Sequence, residues 1–158
     1  MSAISATDTV KTFITALQSG DMEVAANKMA DDFTMSGFAP KTLNKNEFLV
    51  MHSKLLAAMP DLSFNMDEPQ EENDEVKALV QITGTNLNDL DLSILGIQPI
   101  LATGLAVILP QVHVTYHVKD DHVTSVQFES MPGGGIDSLL QQVGAELPLQ
   151  PRGVNMGD

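Results

Sequence analysis

The stretch QVHVTYHVKDDHVTSVQFE, residues 111–129, reads as two strands folded about Asp120-Asp121. If Val118 pairs with Val123, alternation puts Val112, Val114, Tyr116, Val118, Val123, Ser125, Gln127 and Glu129 on one surface of the sheet. An apolar face that also carries a phenol, an amide and a carboxylate suggests the lining of a pocket. Beside apolar walls the charged form of Glu129 is disfavoured, which makes it the first candidate for an acid or base working near neutral pH. Tyr116 and Gln127 would donate to a ligand oxygen. The alternative is a strand-end glutamate in water, and register decides between them. A slip of one residue sends Glu129 to the other face and brings His113, Thr115 and His117 inward.

Upstream, Val10, Phe13, Ile14 and Leu17 fall at helical spacing between Thr7 and Gln18, and Gly20 closes this amphipathic helix. A short second helix is expected from about Met22 to Met29, then a brief strand over Phe33-Thr34-Met35-Ser36. Asn44, with Glu47 three residues on, makes a capping-box start for a third helix. Its Phe48, Leu49, His52, Leu55, Leu56 and Met59 share one face until Pro60 stops it. Strands are expected from Leu62 to Asp67 and from Glu75 to Thr85 around an acidic turn, followed by an irregular apolar loop from Asn86 to Leu105. Beyond the hairpin, Pro132-Gly133-Gly134-Gly135 leads into a last helix from Ile136 to about Val143. Helices first, then hairpin-connected strands and a short closing helix predict the α+β class. The expected sheet is strongly curved and antiparallel, a cone or half-barrel wrapped on the N-terminal helices.

With 158 residues, 43 % of them hydrophobic, the chain is expected to form one domain over residues 1–147 and a loose tail over 148–158. The absence of cysteine excludes disulfides, thiolate metal sites and a cysteine nucleophile, and permits a reducing compartment. No export signal is read in Met1 to Thr12, and the apolar stretch from Ile94 to Pro110 is broken by Gly96, Gln98, Pro99 and Gly104. A cytoplasmic location is therefore expected, with no membrane partner. The net charge of −13 repels nucleic-acid phosphate and anionic lipid, and one tyrosine with no tryptophan offers no platform for stacking bases.

Several segments, taken in order, resemble the nuclear transport factor two-like superfamily and, within it, the polyketide-cyclase-like (SnoaL-like) group. They are Phe13-Ile14-Thr15-Ala16-Leu17-Gln18-Ser19-Gly20-Asp21 with Asp31-Asp32-Phe33, then Met59-Pro60-Asp61-Leu62, Thr83-Gly84-Thr85, and Leu139-Leu140-Gln141-Gln142-Val143-Gly144. The resemblance implies a conical apolar cavity and one of two roles. One is a cofactor-independent isomerase or cyclase that moves a proton next to a carbonyl; the other is a non-catalytic ligand-binding or dimeric assembly module. It also implies a homodimer through the sheet, with Gln81, Thr83, His113, Thr115 and His117 on the pairing face. The chain departs from the pattern where the chemistry would sit. Cyclases of this group usually carry a Trp on the last strand and an acid/base Asp before the final helix, and the stretch from Gln127 to Gly135 has neither. Asn86 stands where a His often follows Gly-Thr. The first helix has Phe13, Ile14 and Leu17 where ketosteroid isomerases of this fold use a Tyr.

The candidate catalytic residues are therefore Glu129, His52 and Tyr116, and the candidate ligand-binding residues are Gln127, Phe13, Leu17, Met59 and Val114, for a small apolar molecule bearing oxygen. His52 lies on the apolar face of the third helix, either as an acid/base partner in the pocket or as a buried neutral imidazole bonded to backbone. No cofactor or metal is expected. His113 and His117 stand about 13 Å apart along a strand, and Asp89 and Asp91 read as solvated loop acids.

Overall fold

The computed structural model describes residues 5–129 and 135–144 and has the expected α+β architecture. In chain order the elements are α1 (Ala6–Ser19), α2 (Met22–Asn27), β1 (Met29–Ser36), β2 (Leu43–Asn44), α3 (Lys45–Ala58), β3 (Gln70–Glu72), β4 (Glu75–Val80), β5 (Thr83–Thr85), β6 (Ala106–Ile108), β7 (Val112–Lys119), β8 (His122–Phe128) and α4 (Ile136–Gln142). Six strands form one sheet in the order β2-β1-β8-β7-β4-β3, and β5 pairs with β6 alone. The large sheet is mixed, because β1 joins the free edge of β8 in parallel while its other pairings are antiparallel. The segment 148–158, expected to be a tail, lies outside the described residues, as do the glycines preceding Gly135.

Local chemistry sets the helix ends. The Ser5 hydroxyl accepts the Asp8 N–H at 3.0 Å, and Gly20 ends α1 in the left-handed region at φ 81°. At α3 both halves of the capping box form: Asn44 Oδ1 accepts from Glu47 N at 2.8 Å, and Glu47 Oε1 accepts from Asn44 N at 3.0 Å. The apolar faces of α1 and α3 then meet the sheet through Phe13, Phe33 and Phe48, whose ring centroids lie 5.3 to 6.3 Å apart. Burying each such ring contributes roughly 1.5–3 kcal/mol.

The β7–β8 hairpin turns on Asp120 (φ 53°) and Asp121 (φ 64°), and Val118 pairs with Val123 as the sequence predicts. One residue further the register shifts. His117 faces Ser125, Tyr116 faces Val126, Thr115 faces Gln127 and Val114 faces Phe128, so Thr124 is an extra residue in β8. This bulge reverses which side chains of β8 point inward. Val126 and Phe128 join Val114 and Tyr116 on the helix-facing surface, while Ser125, Gln127 and Glu129 turn to the outer face. The predicted inward placement of Gln127 and Glu129 is thereby corrected. In β7 the alternation holds: Val112, Val114, Tyr116 and Val118 are buried, and His113 is exposed.

Other strand expectations need adjustment. Leu62 to Asp67 forms no strand, only a bridge from Ser63 to Thr83: the Phe64 N–H donates to Gln18 Oε1, and Asn65, at φ 45°, donates its side-chain amide to the Gln81 carbonyl. The long strand from Glu75 breaks at Gln81-Ile82, and its second half, β5, leaves the large sheet to pair with β6. Thr83 therefore belongs to a different sheet from His113 and Thr115. The loop from Asn86 carries a single 3-10 turn, Ser93–Leu95, and a Leu90–Ile100 bridge.

Candidate functional site

Between the inner face of the sheet and α1, α3 and α4 lies a cavity of about 40 Å³. Phe13, Ile14 and Leu17 reach it from α1, Met51, His52 and Leu55 from α3, Tyr116, Val126 and Phe128 from the hairpin, and Leu139 from α4. Phe38, Phe64 and Ile82 come from connecting segments. All are buried except Phe64 and Phe128, which are half-buried and so mark the side nearest solvent. Phe128 packs on Phe38 with ring centroids 5.2 Å apart. Gly37 at φ 91° makes that packing possible, since a Cβ there would collide with the Phe128 carbonyl.

His52 and Tyr116 are the polar side chains in this lining. His52 Nε2 stands 2.7 Å from the Leu17 carbonyl oxygen, which can only accept, so Nε2 carries the proton and Nδ1 is left as the acceptor of a neutral ring. The ring is stacked between Phe48 and Phe64, at centroid distances of 6.1 and 5.8 Å. Burial holds its pKa below the ordinary histidine value, the bond to Leu17 opposing in part. Burial likewise pushes the Tyr116 phenol up, so it stays a neutral donor. The cavity thus offers a proton donor and a weak, neutral base among apolar walls.

The carboxylate predicted to join them is elsewhere. Glu129 Oε1 accepts from His113 N at 3.2 Å and lies 3.1 Å from His113 Nδ1, on the exposed outer face. These bonds hold its pKa below the usual range, the reverse of what an acid/base carboxylate in an apolar site requires. Gln127 is exposed beside it. Of the predicted ligand-binding residues, Phe13 and Leu17 line the cavity. Val114 and Met59 are fully buried in the core and do not reach it; Met59 packs instead beneath Gly84. The sequence reading missed Phe38, Phe64, Phe128, Met35 and Leu139. For Phe128 a signal existed, since an apolar Val126 and Phe128 pointing to solvent would be the odd outcome of strict alternation.

Asp89 and Asp91 are spent on the loop itself, accepting from Ala102 N at 2.9 Å and Ser93 N at 3.0 Å. Among the described residues no cluster of three or more His, Cys, Asp or Glu is arranged to hold a metal ion. Nor, among them, is any helix long and apolar enough to cross a membrane.

A family model for the SnoaL-like domain matches residues 10–126. The chain belongs to the SnoaL-like family. Solved structures agree on the fold. A SnoaL-like polyketide cyclase candidate from Jannaschia sp. CCS1 superposes with a TM-score of 0.67 at 15 % identity, covering 93 % of this chain and 100 % of that one. A candidate polyketide cyclase from Pseudomonas putida KT2440 gives 0.66 at 16 %, covering 90 % and 100 %. An LEH-like epoxide hydrolase from M. tuberculosis gives 0.62 at 14 %, covering 87 % and 90 %. No curated protein matches the chain. At these identities the SnoaL-like fold is what is shared, and the names of its members span different reactions.

Proposed function

We propose that this SnoaL-like chain is a cytoplasmic small-molecule-binding protein whose cavity takes a compact, largely apolar molecule carrying one or two oxygens. The observation that carries this reading is the pairing of a neutral donor, Tyr116, with a neutral acceptor, His52, as the polar groups of an otherwise apolar lining. The lining has no charged side chain to meet an ionised ligand. At about 40 Å³ the cavity falls well short of the roughly 150 Å³ that holds a benzene ring. A larger ligand therefore enters as Phe64 and Phe128 move aside and the unbranched Met35 and Met51 repack.

If the protein is an enzyme, the chemistry this lining supports is proton movement next to a carbonyl. His52 Nδ1 takes the proton and Tyr116 donates to the enolate oxygen, with Glu129 outside the reaction. A second reading, a non-catalytic ligand-binding or dimeric assembly module, is favoured by the small cavity and by Glu129 facing water. The family-implied contact for that module is the outer sheet face around Gln81, His113, Thr115 and His117.

The test is a crystal structure of protein purified without added ligand, together with native mass spectrometry of the same sample. A bound neutral compound touching His52 or Tyr116, lost in Tyr116→Phe, supports the first reading. An empty cavity, with no retained mass and no binding of small cyclic ketones, sinks it and favours the module.

A further inference from the structure

Two polar atoms at the cavity have their bonding capacity left over. His52 Nε2 is committed to the Leu17 carbonyl at 2.7 Å, and Phe48 and Phe64 stack on the ring. Among the described residues no other hydrogen bond reaches this side chain, so Nδ1 keeps a lone pair that only a donor can meet. The Tyr116 hydroxyl likewise has no partner among the described residues. Both side chains belong to residues only 2 % exposed. Neither atom is sealed in, however, as the unpartnered Thr9 hydroxyl is, and the free space beside them is the cavity. Buried polar groups left unmet are costly, so two of them around one apolar void mark a place for a ligand that meets both.

This pair is selective about the group that enters. A ketone or ether oxygen accepts from Tyr116 and leaves Nδ1 bare, while a pyrrole-type N–H serves Nδ1 and offers Tyr116 nothing. A hydroxyl has a proton for Nδ1 and lone pairs for Tyr116. The walls select the rest of the molecule. The chain has six phenylalanines and one tyrosine, and of these Phe13, Phe38, Phe48, Phe64, Phe128 and Tyr116 all line this cavity. Their rings meet at tilted angles, presenting both edges and faces to an aromatic guest. Charge narrows the choice further. The lining holds no charged side chain, and a chain of net charge −13 repels anions. A simple phenol, whose pKa of about 10 matches that of tyrosine, stays neutral at pH 7, whereas an aromatic carboxylic acid does not.

We propose that the cavity takes a neutral phenol, whose hydroxyl donates to His52 Nδ1 and accepts from Tyr116. This rests on the reading of the cavity as a small-molecule site and narrows its ligand from any oxygen-bearing molecule to an aryl hydroxyl. It requires no reaction. A six-membered ring exceeds the void of about 40 Å³, so its entry draws on the same movement of Phe64 and Phe128 and the same repacking of Met35 and Met51.

Calorimetric titration of the full chain with phenol, anisole and cyclohexanone tests this. Anisole keeps the ring and the oxygen but has no O–H, and cyclohexanone offers a carbonyl alone. Phenol should bind roughly tenfold or more tighter than either, because each of the others leaves Nδ1 unmet. In nitrogen NMR spectra the His52 Nδ1 resonance should move toward the protonated value with phenol and stay in place with anisole. His52→Phe should erase the preference for phenol over anisole, and Tyr116→Phe should weaken phenol while sparing the Nδ1 shift. The preference is read on the wild type, so a variant that fails to fold does not shield the proposal. Equal binding of phenol and anisole overturns the phenol assignment and leaves the cavity a binding site. Cyclohexanone binding tighter than phenol overturns it in favour of a carbonyl ligand. If none of the three binds at millimolar concentration, this proposal and the small-molecule reading fall together.

Discussion

His52 on α3 donates to the backbone carbonyl of Leu17 on α1 across 2.7 Å, and this one bond joins the two long helices at the wall of the cavity. It also decides the tautomer of the ring, and so which nitrogen is left for a ligand. Burial keeps the folded-state pKa below the ordinary value of about 6.5. Between those two values the unfolded chain binds more protons than the folded one, so stability rises with pH across that window. The contribution is complete above about pH 7 and is lost as the pH falls through 6.5 toward the folded value. Urea unfolding of wild type and His52→Phe at a series of pH values should show a shallower acid slope in the variant. Equal slopes would place the acid sensitivity elsewhere.

Glu129→Gln should leave ligand binding unchanged, because the side chain is on the outer face and bonded to His113. Its depressed pKa means that any stabilisation is present above the usual glutamate pKa and disappears as the pH falls through the lowered one. An exposed pair of this kind contributes little. A thermal melt at neutral pH should therefore shift only slightly, whereas a clear loss of binding or turnover would return Glu129 to the site.

Thr9 is fully buried on α1, and its hydroxyl is the buried side-chain group without a hydrogen-bond partner among the described residues. Thr9→Val keeps the shape, removes the unmet group and leaves helix propensity nearly unchanged. Stabilisation by about 1 kcal/mol is expected, read from the urea midpoint at constant slope. A destabilised variant would mean that the hydroxyl has a partner in the folded protein.

Asn86→Ala should cost about 2–4 kcal/mol, since it removes a buried amide and strands the Thr103 donors. Hydrogen exchange should quicken first at Thr103 and Gly104, whose N–H groups bond to the Asn86 side chain and carbonyl respectively. If exchange quickens evenly over the whole chain, Asn86 is supporting the core at large.

Much of this architecture was legible because its signals are local. The Asn44–Glu47 capping box, Gly20 at the end of α1 and the Asp120-Asp121 turn each act within a few residues, and each forms as the sequence predicts. His52, Tyr116, Phe13 and Leu17 line the cavity for the same reason, since helical or two-residue periodicity points them inward. Glu129 and Gln127 were misplaced because the bulge at Thr124 resets that periodicity, and its cause is tertiary: the helices need Val126 and Phe128 beneath them. Met59 was misread because the apolar face of α3 continues past the cavity to pack beneath Gly84. The pairing of β5 with β6 spans a long excursion, and no short-range pattern announces it.

The bulge at Thr124 also bears on how such a pocket could change over evolutionary time. Point substitutions in β8 alter one lining residue each, and every polar replacement of Val126 or Phe128 meets a packed apolar neighbourhood. Loss of the bulge itself, with Thr124 taken into a regular ladder opposite His117, would act on the whole strand at once. Restored alternation would rotate Ser125, Gln127 and Glu129 toward Tyr116 and send Val126 and Phe128 outward. An inert, apolar lining and one furnished with an amide and a carboxylate are thus separated by one bulge, and a one-residue shift of register in this strand would be the economical route by which the fold acquires or sheds acid–base chemistry.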